Sequence, residues 1–296
     1  RRKRWKRLSN GEQAIVPMPE LPEVETMCRG IAAVAGRRIH ALRFPKSPLR
    51  SIPISPRPAL FRRRVEGRSI TAVRRVGKRV VLDLDSSAAI VFEPRMSGRV
   101  HLACPPDAEH VRAVLEFADG PGPLIFWSMR GLSTLCLLTA RELAQRLGPD
   151  RLGPDALRIG ADALRARLQA SRRAIKVALL DQRAVAGIGN IYASEILHRI
   201  GVHPETSCDR LSPRQWKRMQ AATVGVLSEA IAAQGSTLRD GRYRTTRGEP
   251  GRFQDKHRVY GRAGLKCLQC GRGRIRKIVQ AQRSTYYCPI CQRGAR

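Results

Sequence analysis

The sequence predicts an α+β protein: an N-terminal helix plus a mostly antiparallel β domain, then a helical domain, then a small cysteine-bound module. Three observations carry that prediction. Apolar residues recur at helical spacing near the start, and a long stretch of alternating strands follows with no helix between them. Four of the eight cysteines then gather into two Cys-x2-Cys pairs near the end. At 296 residues the chain exceeds one ordinary core, which argues for two domains.

Residues 1–17 open with Arg1-Arg2-Lys3-Arg4-Trp5-Lys6-Arg7 and show no periodicity, so they read as a disordered basic extension, upstream of the working protein. From 20 to 35, Val24, Met27, Ile31 and Val34 recur at three and four, and Gly36 stops the pattern: an amphipathic helix. Alternation then takes over. Runs at 69–76, 79–85, 88–93, 99–103, 110–118, 123–128 and 133–138 read as strands separated by Gly, Pro or Asp turns. Consecutive short strands of this kind form an antiparallel sandwich or barrel. Residues 139–160 read as a helix running into a linker, and helical patterns follow at 162–169, 171–182, 190–200 and 213–233. The expected units are a β domain over 18–145, a linker over 146–160, a helical domain over 161–247 and a cysteine module over 248–296.

Charge bounds the partner. The formal net charge is +32 and the pI about 11.4, a field that concentrates polyanions. Nucleic acid is the first expectation. An anionic membrane surface comes second because no cationic amphipathic helix stands out, and no apolar run is long enough to span a bilayer. The start lacks the apolar core of a secretory signal, which fits a reducing cytoplasm. Accordingly Cys28, Cys104, Cys136 and Cys208 are expected to be buried free thiols. Cys267, Cys270, Cys288 and Cys291 have the spacing of a four-thiolate structural zinc site with no open coordination position. Disulfides are the alternative, disfavoured in a reducing compartment. Arg272, Arg274, Arg276, Lys277 and Arg283 lie between the pairs, so the module is itself basic.

Two further segments carry chemistry. In Met18-Pro19-Glu20-Leu21-Pro22-Glu23-Val24, a chain begun at Met18 and stripped of it would expose Pro19 as a free secondary amine. Such an amine can attack a sugar C1′ and form an iminium, with the neighbouring Glu20 carboxylate for proton transfer. An amide nitrogen cannot, so an extension ahead of Pro19 would silence it. The second segment, Gly187-Ile188-Gly189-Asn190, opens a helix. Unpaired amides, two glycines and a capping Asn190 make a ready phosphate site, though an ordinary capped turn looks the same.

These segments together resemble the formamidopyrimidine-DNA glycosylases, bacterial enzymes that remove oxidised purines. Four stretches carry the resemblance, in family order over residues 18–291. They are Met18 to Glu25; Asp181-Gln182 with Ala186 to Ala193; Gly248-Glu249-Pro250-Gly251 with Val259-Tyr260-Gly261-Arg262; and Gln282-Arg283-Ser284-Thr285. The resemblance implies a β-sandwich domain joined to a helix-two-turn-helix domain and a zinc finger. It implies one structural zinc, a monomer, and double-stranded DNA carrying formamidopyrimidine or 8-oxoguanine as partner. The activity implied is base excision by Pro19, with Glu20 moving protons, followed by β,δ-elimination at the abasic site. Lys78 matches the catalytic lysine of the β domain, while Asn190 and Arg283 match two phosphate clamps. Lys176 matches a lysine near the lesion, Met96 a wedge filling the vacated stack, and Arg130 a reader of the orphaned base. Read without the family, Lys78 is a solvated strand-end lysine and Met96 a core residue at a strand end. The rival function is a non-catalytic damaged-DNA binder whose proline amine the extension caps.

The chain also departs from the family. Glu93-Pro94-Arg95 stands where His-Leu-Gly usually precedes the wedge methionine. Ser128 to Ser133 replaces Asp-Pro-Arg-Arg-Phe-Gly, so Leu132 takes the place of an aromatic wedge. The Ile-Gly-Asn-Ile-Tyr-Ala wording separates the chain from the sibling branch that prefers oxidised pyrimidines.

Overall fold

A computed structural model describes residues 18–102, 104–238, 240–241 and 243–293. The basic extension expected at 1–17 lies outside the described residues, as do the last three.

The first helix, α1 (Leu21–Gly30), continues into a 3-10 turn at Ala32–Val34. Nine strands follow: β1 (Ile39–Arg43), β2 (Ile54–Ser55), β3 (Ile70–Val76), β4 (Arg79–Leu84), β5 (Ala89–Glu93), β6 (Gly98–Leu102), β7 (Val111–Phe117), β8 (Leu124–Ser128) and β9 (Thr134–Leu138). Helix α2 (Pro58–Val65) interrupts them after β2. The strands form two sheets, ordered β1-β7-β8-β6 and β2-β9-β5-β4-β3, packed face to face as a sandwich. Alternate residues such as Leu82, Phe92, Val100, Leu115 and Phe126 fill the space between the sheets. All seven strands expected from alternation are present within two residues. The sandwich is antiparallel except for β2, which pairs parallel with β9 at the sheet edge.

Helix α3 (Ala140–Leu147) covers the outer face of the larger sheet. The helical domain then comprises α4 (Ala161–Leu168), α5 (Ile175–Leu179), α6 (Asn190–Ile200) and α7 (Pro213–Ala232). The helix expected over 171–182 shrinks to α5, because residues 171–174 run extended beside 207–209. There Arg173 O accepts from Cys208 N and Ser171 O from Asp209 N. A final hairpin, β10 (Arg276–Gln280) and β11 (Arg283–Tyr287), belongs to the cysteine module. Of the four scattered cysteines, Cys28 and Cys208 are buried as expected. Cys136 is half-buried and Cys104 exposed, since it falls just beyond the end of β6.

Helix α1 is shared between the two domains. Leu21 belongs to the core of the helical domain, whereas Val24, Met27 and Ile31 belong to that of the sandwich, and all four are fully buried. Each such side chain contributes roughly 1.5–3 kcal/mol on burial, so displacing α1 would cost both cores at once. Among the described residues no helix is long and apolar enough to cross a membrane.

Candidate active site and zinc module

The start of α1 meets the start of α6, and the junction is tight. Leu21 N donates to Gly187 O at 3.1 Å. Gly187 adopts φ +109°, and a Cβ there would stand 2.4 Å from Leu21 Cδ1; a Cβ on Gly189 would stand 2.1 Å from Glu20 Cδ. Only glycine permits either approach. Glu20 is the anion that the α6 N-terminus receives: its carboxylate accepts from Ile191 N at 3.0 Å and Tyr192 N at 3.4 Å. The expected capping role of Asn190 is therefore corrected. Gly189 is the N-cap, and Asn190 is the first helical residue with its side chain turned elsewhere.

A second buried carboxylate reinforces the junction. Glu23 accepts from Glu20 N at 2.9 Å, Ser236 N at 2.8 Å and the Tyr192 hydroxyl. Burial raises the pKa of both carboxyls, Glu20 to about 7, although the Lys78 charge pulls Glu20 the other way. Pro19, itself buried, lines a narrow cavity with Glu23, Met96, Arg99, Ser236 and Tyr243.

Three cations converge on this corner. Lys78 stands in the tight turn between β3 and β4, which Gly77 closes at φ +58°. Burial lowers its pKa to about 8; Glu20 opposes that shift and the Arg283 charge adds to it. Lys176, on α5, is fully buried and likewise pushed to about 8 by desolvation. Its ammonium donates to Asn190 Oδ1, to Thr285 Oγ1 at 2.7 Å and to Ser284 O at 3.4 Å. Asn190 Nδ2 also donates to Ser284 O, at 2.9 Å. Lys176 thus pins Asn190 to β11, one residue from the exposed Arg283. The structure brings Pro19, Glu20, Lys78, Lys176, Asn190 and Arg283 to one corner.

Met96 and Arg130 lie together on the rim. Arg130 N donates to Ser97 Oγ at 3.1 Å, and Arg130 Nη1 lies 3.9 Å from Met96 Sδ. Glu93 accepts from Arg79 at 2.8 Å, Thr134 at 3.1 Å and Arg95 at 3.4 Å. Arg95 itself has φ +49°, a left-handed conformation usually left to glycine.

The four clustered thiols suit a metal. Cys267 and Cys291 sulfurs are 3.8 Å apart, as are those of Cys270 and Cys288, and all four lie within 4.8 Å of one another. A tetrahedron with zinc–sulfur bonds of about 2.3 Å has edges of about 3.8 Å, so these sulfurs fit one zinc. A Cβ on Gly273 would stand 2.6 Å from Cys288 Sγ, which explains the glycine. The β10–β11 turn consists of Ala281 at φ +46° and Gln282 at φ +60°, and it presents Arg283 directly after the bend.

Known proteins match along most of the chain. The formamidopyrimidine-DNA glycosylase N-terminal domain matches residues 18–135, the H2TH domain of the same enzymes 147–241, and a zinc finger found in FPG and IleRS 264–294. A formamidopyrimidine-DNA glycosylase of Bacillus subtilis is 39% identical, covering 93% of this chain and 99% of its own length. One from Chloroflexus aurantiacus is 41% identical over 93% and 98%. The chain is a member of the formamidopyrimidine-DNA glycosylase family. A solved Lactococcus lactis family structure, complexed with DNA containing an abasic site, superposes with TM-score 0.81 at 29% identity, covering 93% and 99%. Another, holding Fapy-dG-containing DNA, gives 0.80. The zinc finger of this family member is the four-cysteine module above, and it holds one structural zinc.

Sequence reasoning missed the roles of Glu23, Tyr192 and Ser236. Glu23 carried a signal, three residues after Glu20 at a helix start. Ser236 carried none, because its partner lies 213 positions away.

Proposed function

We propose that this formamidopyrimidine-DNA glycosylase family member excises oxidised purines, formamidopyrimidine and 8-oxoguanine, from duplex DNA in base-excision repair and cleaves the resulting abasic site. The observation that carries the reading is Glu20, seated on the amides of Ile191 and Tyr192 beside Pro19, with its carboxyl poised near neutrality. The damaged nucleotide is extruded from the stack, because its C1′ is unreachable inside it. The Pro19 amine gives its lone pair to C1′ as the glycosidic bond breaks; the base leaves with that bond's electrons and takes up the proton that the amine loses. Glu20 delivers a proton to the opening sugar ring, leaving an iminium between proline and sugar. Elimination of the 3′ phosphate and then the 5′ phosphate follows, and water releases proline.

Lys78 serves as the catalytic lysine at the phosphates. Arg283 and Asn190 clamp the phosphates of the flipped nucleotide, with Lys176 near the lesion holding Asn190. Met96 fills the void and Arg130 faces the orphaned base. The working unit is a DNA-associated monomer in the bacterial cytoplasm, without a membrane partner. Its parts are the β domain over 18–145, the linker over 146–160, the helical domain over 161–247 and the zinc finger over 248–296.

Borohydride added to protein initiated at Met18 and lesion-bearing duplex should trap a covalent adduct through Pro19. Absence of any adduct overturns the enzyme reading in favour of a damaged-DNA binder. Intact mass of protein made in its native host distinguishes the same two: a chain beginning at Pro19 is the enzyme, and a retained extension is the binder.

A further inference from the structure

Arg99 is the exception among the buried charges of the site. Glu20, Glu23 and Lys176 have their polar atoms engaged, as the hydrogen bonds above account for. Arg99, only 4% exposed on β6, has no hydrogen-bond partner at Nε or Nη1 among the described residues. Its guanidinium instead stacks on Trp127, 4.2 Å from the ring centroid, which stabilises a cation without using its N–H donors. Burial lowers its pKa to about 10, aided by the nearby Arg244 charge, so it stays protonated at neutral pH. A buried cation with idle donors is costly to retain unless something completes it. Arg99 lines the same cavity as Pro19 and Met96.

We propose that Arg99 is a specificity-determining residue that donates hydrogen bonds to an exocyclic oxygen of the flipped, oxidised base. This rests on the function proposed above, in which the base leaves the stack beside Pro19. The planar fork suits a carbonyl or formamide oxygen, and Trp127 holds it in orientation. Phosphate is a poorer match, because the cations set for phosphate, Lys78 and Arg283, lie at the α1–α6 corner and Arg283 is exposed. The cavity also takes in Ile191 at the start of α6, so Arg99 and Pro19 border one space at the α1–α6 junction.

The test compares two substrates, a duplex carrying 8-oxoguanine opposite cytosine and a duplex carrying a preformed abasic site, which has no base to read. Zinc-loaded protein beginning at Pro19 is assayed in single turnover. Arg99→Met keeps the stacking volume and removes every donor. It should slow excision about tenfold or more while leaving abasic-site cleavage unchanged. Arg99→Lys restores a charge but not the fork, and excision should fall between the wild type and Arg99→Met. Equal losses on both substrates, or undiminished excision, overturn the proposal. Should Arg99→Met fail to melt cooperatively, the same comparison is read on Arg99→Lys, where equal rates relative to wild type on both substrates overturn it. A wild-type protein that cleaves neither duplex refutes the function itself, a separate outcome.

Discussion

The α1–α6 junction and the Met96–Arg130 rim border the same cavity and are built by opposite rules. At the junction, Glu20 and Glu23 are almost fully buried, their oxygens accept from named donors, and Gly187 and Gly189 leave no space for a methyl group. On the rim, Arg95 and Arg130 are exposed, and the sulfur–guanidinium approach of 3.9 Å is a loose one. The family wording is intact at the junction and altered on the rim, at Glu93-Pro94-Arg95 and at Leu132. A buried network of mutually satisfied groups penalises any single change, whereas exposed side chains are replaced at little cost. The groups proposed for bond breaking thus sit where substitution is expensive, and those proposed for reading the duplex where it is cheap.

The largest effect should come from breaking the junction. Glu20→Gln removes proton transfer and should lower base excision by about 10²–10⁴-fold with DNA affinity retained, as measured by single-turnover kinetics and titration. Gly189→Ala, which forces Glu20 aside, should approach the lower figure. Near-normal rates in both variants would mean the junction is no more exacting than the rim.

Next in size is the zinc module, which lies outside both regions yet supplies Arg283. Cys288→Ser should lose its zinc by metal analysis and bind all duplexes roughly tenfold or more weakly, since the apo hairpin no longer holds Arg283 and its neighbours at phosphate. Unchanged affinity after chelation would show the module to be dispensable.

Smaller effects should divide the exposed arginines. Arg283→Ala should weaken binding to every duplex alike and flatten the salt dependence by about one counterion. Arg130→Ala should instead cost about 1–3 kcal/mol of discrimination between cytosine and adenine opposite the lesion. Kinetics on both duplexes at two salt concentrations separate the two. Equal losses on both duplexes for Arg130→Ala would remove it as the base reader.

The smallest signature is in stability against pH. Burial raises Glu20 from an ordinary 4.5 to about 7. Between those values the folded protein holds a proton that the unfolded chain has released, so stability falls as pH rises through that window. Melting curves should show a steeper fall in Tm from pH 4.5 to 7 for the wild type than for Glu20→Gln. Glu23 and Glu195, also raised by burial, leave some slope in the variant. Parallel curves would show that Glu20 titrates as an exposed carboxylate.

Local patterns made most of the sandwich legible. Val80, Leu82 and Leu84 alternate inward, and the seven central strands follow from such alternation. β1, β2 and α2 escaped it. Ile39–Arg43 mixes His40 and Arg43 among its apolar residues, Ile54–Ser55 is two residues long, and Pro58–Val65 carries three arginines in its last turn. In the site, the cysteines were readable because their spacing is local. The cap of α6 was not, since the carboxylate that fills it comes from 171 residues earlier. Arg99 looked like one more alternating strand residue until its neighbours were known.

That separation of 171 residues has a consequence for how the chain is made. Leu21 and Glu20 cannot find their places until the ribosome has delivered α6, and Glu23 waits longer for Ser236. At about 5–20 residues per second, Pro19 therefore spends roughly ten to thirty seconds unprotected after emerging. Once α1 has docked, Pro19 is buried. Met18, the residue whose removal would free the proposed nucleophile, is then half-buried against the same cavity, so the chain still on the ribosome is the form in which an aminopeptidase meets least obstruction.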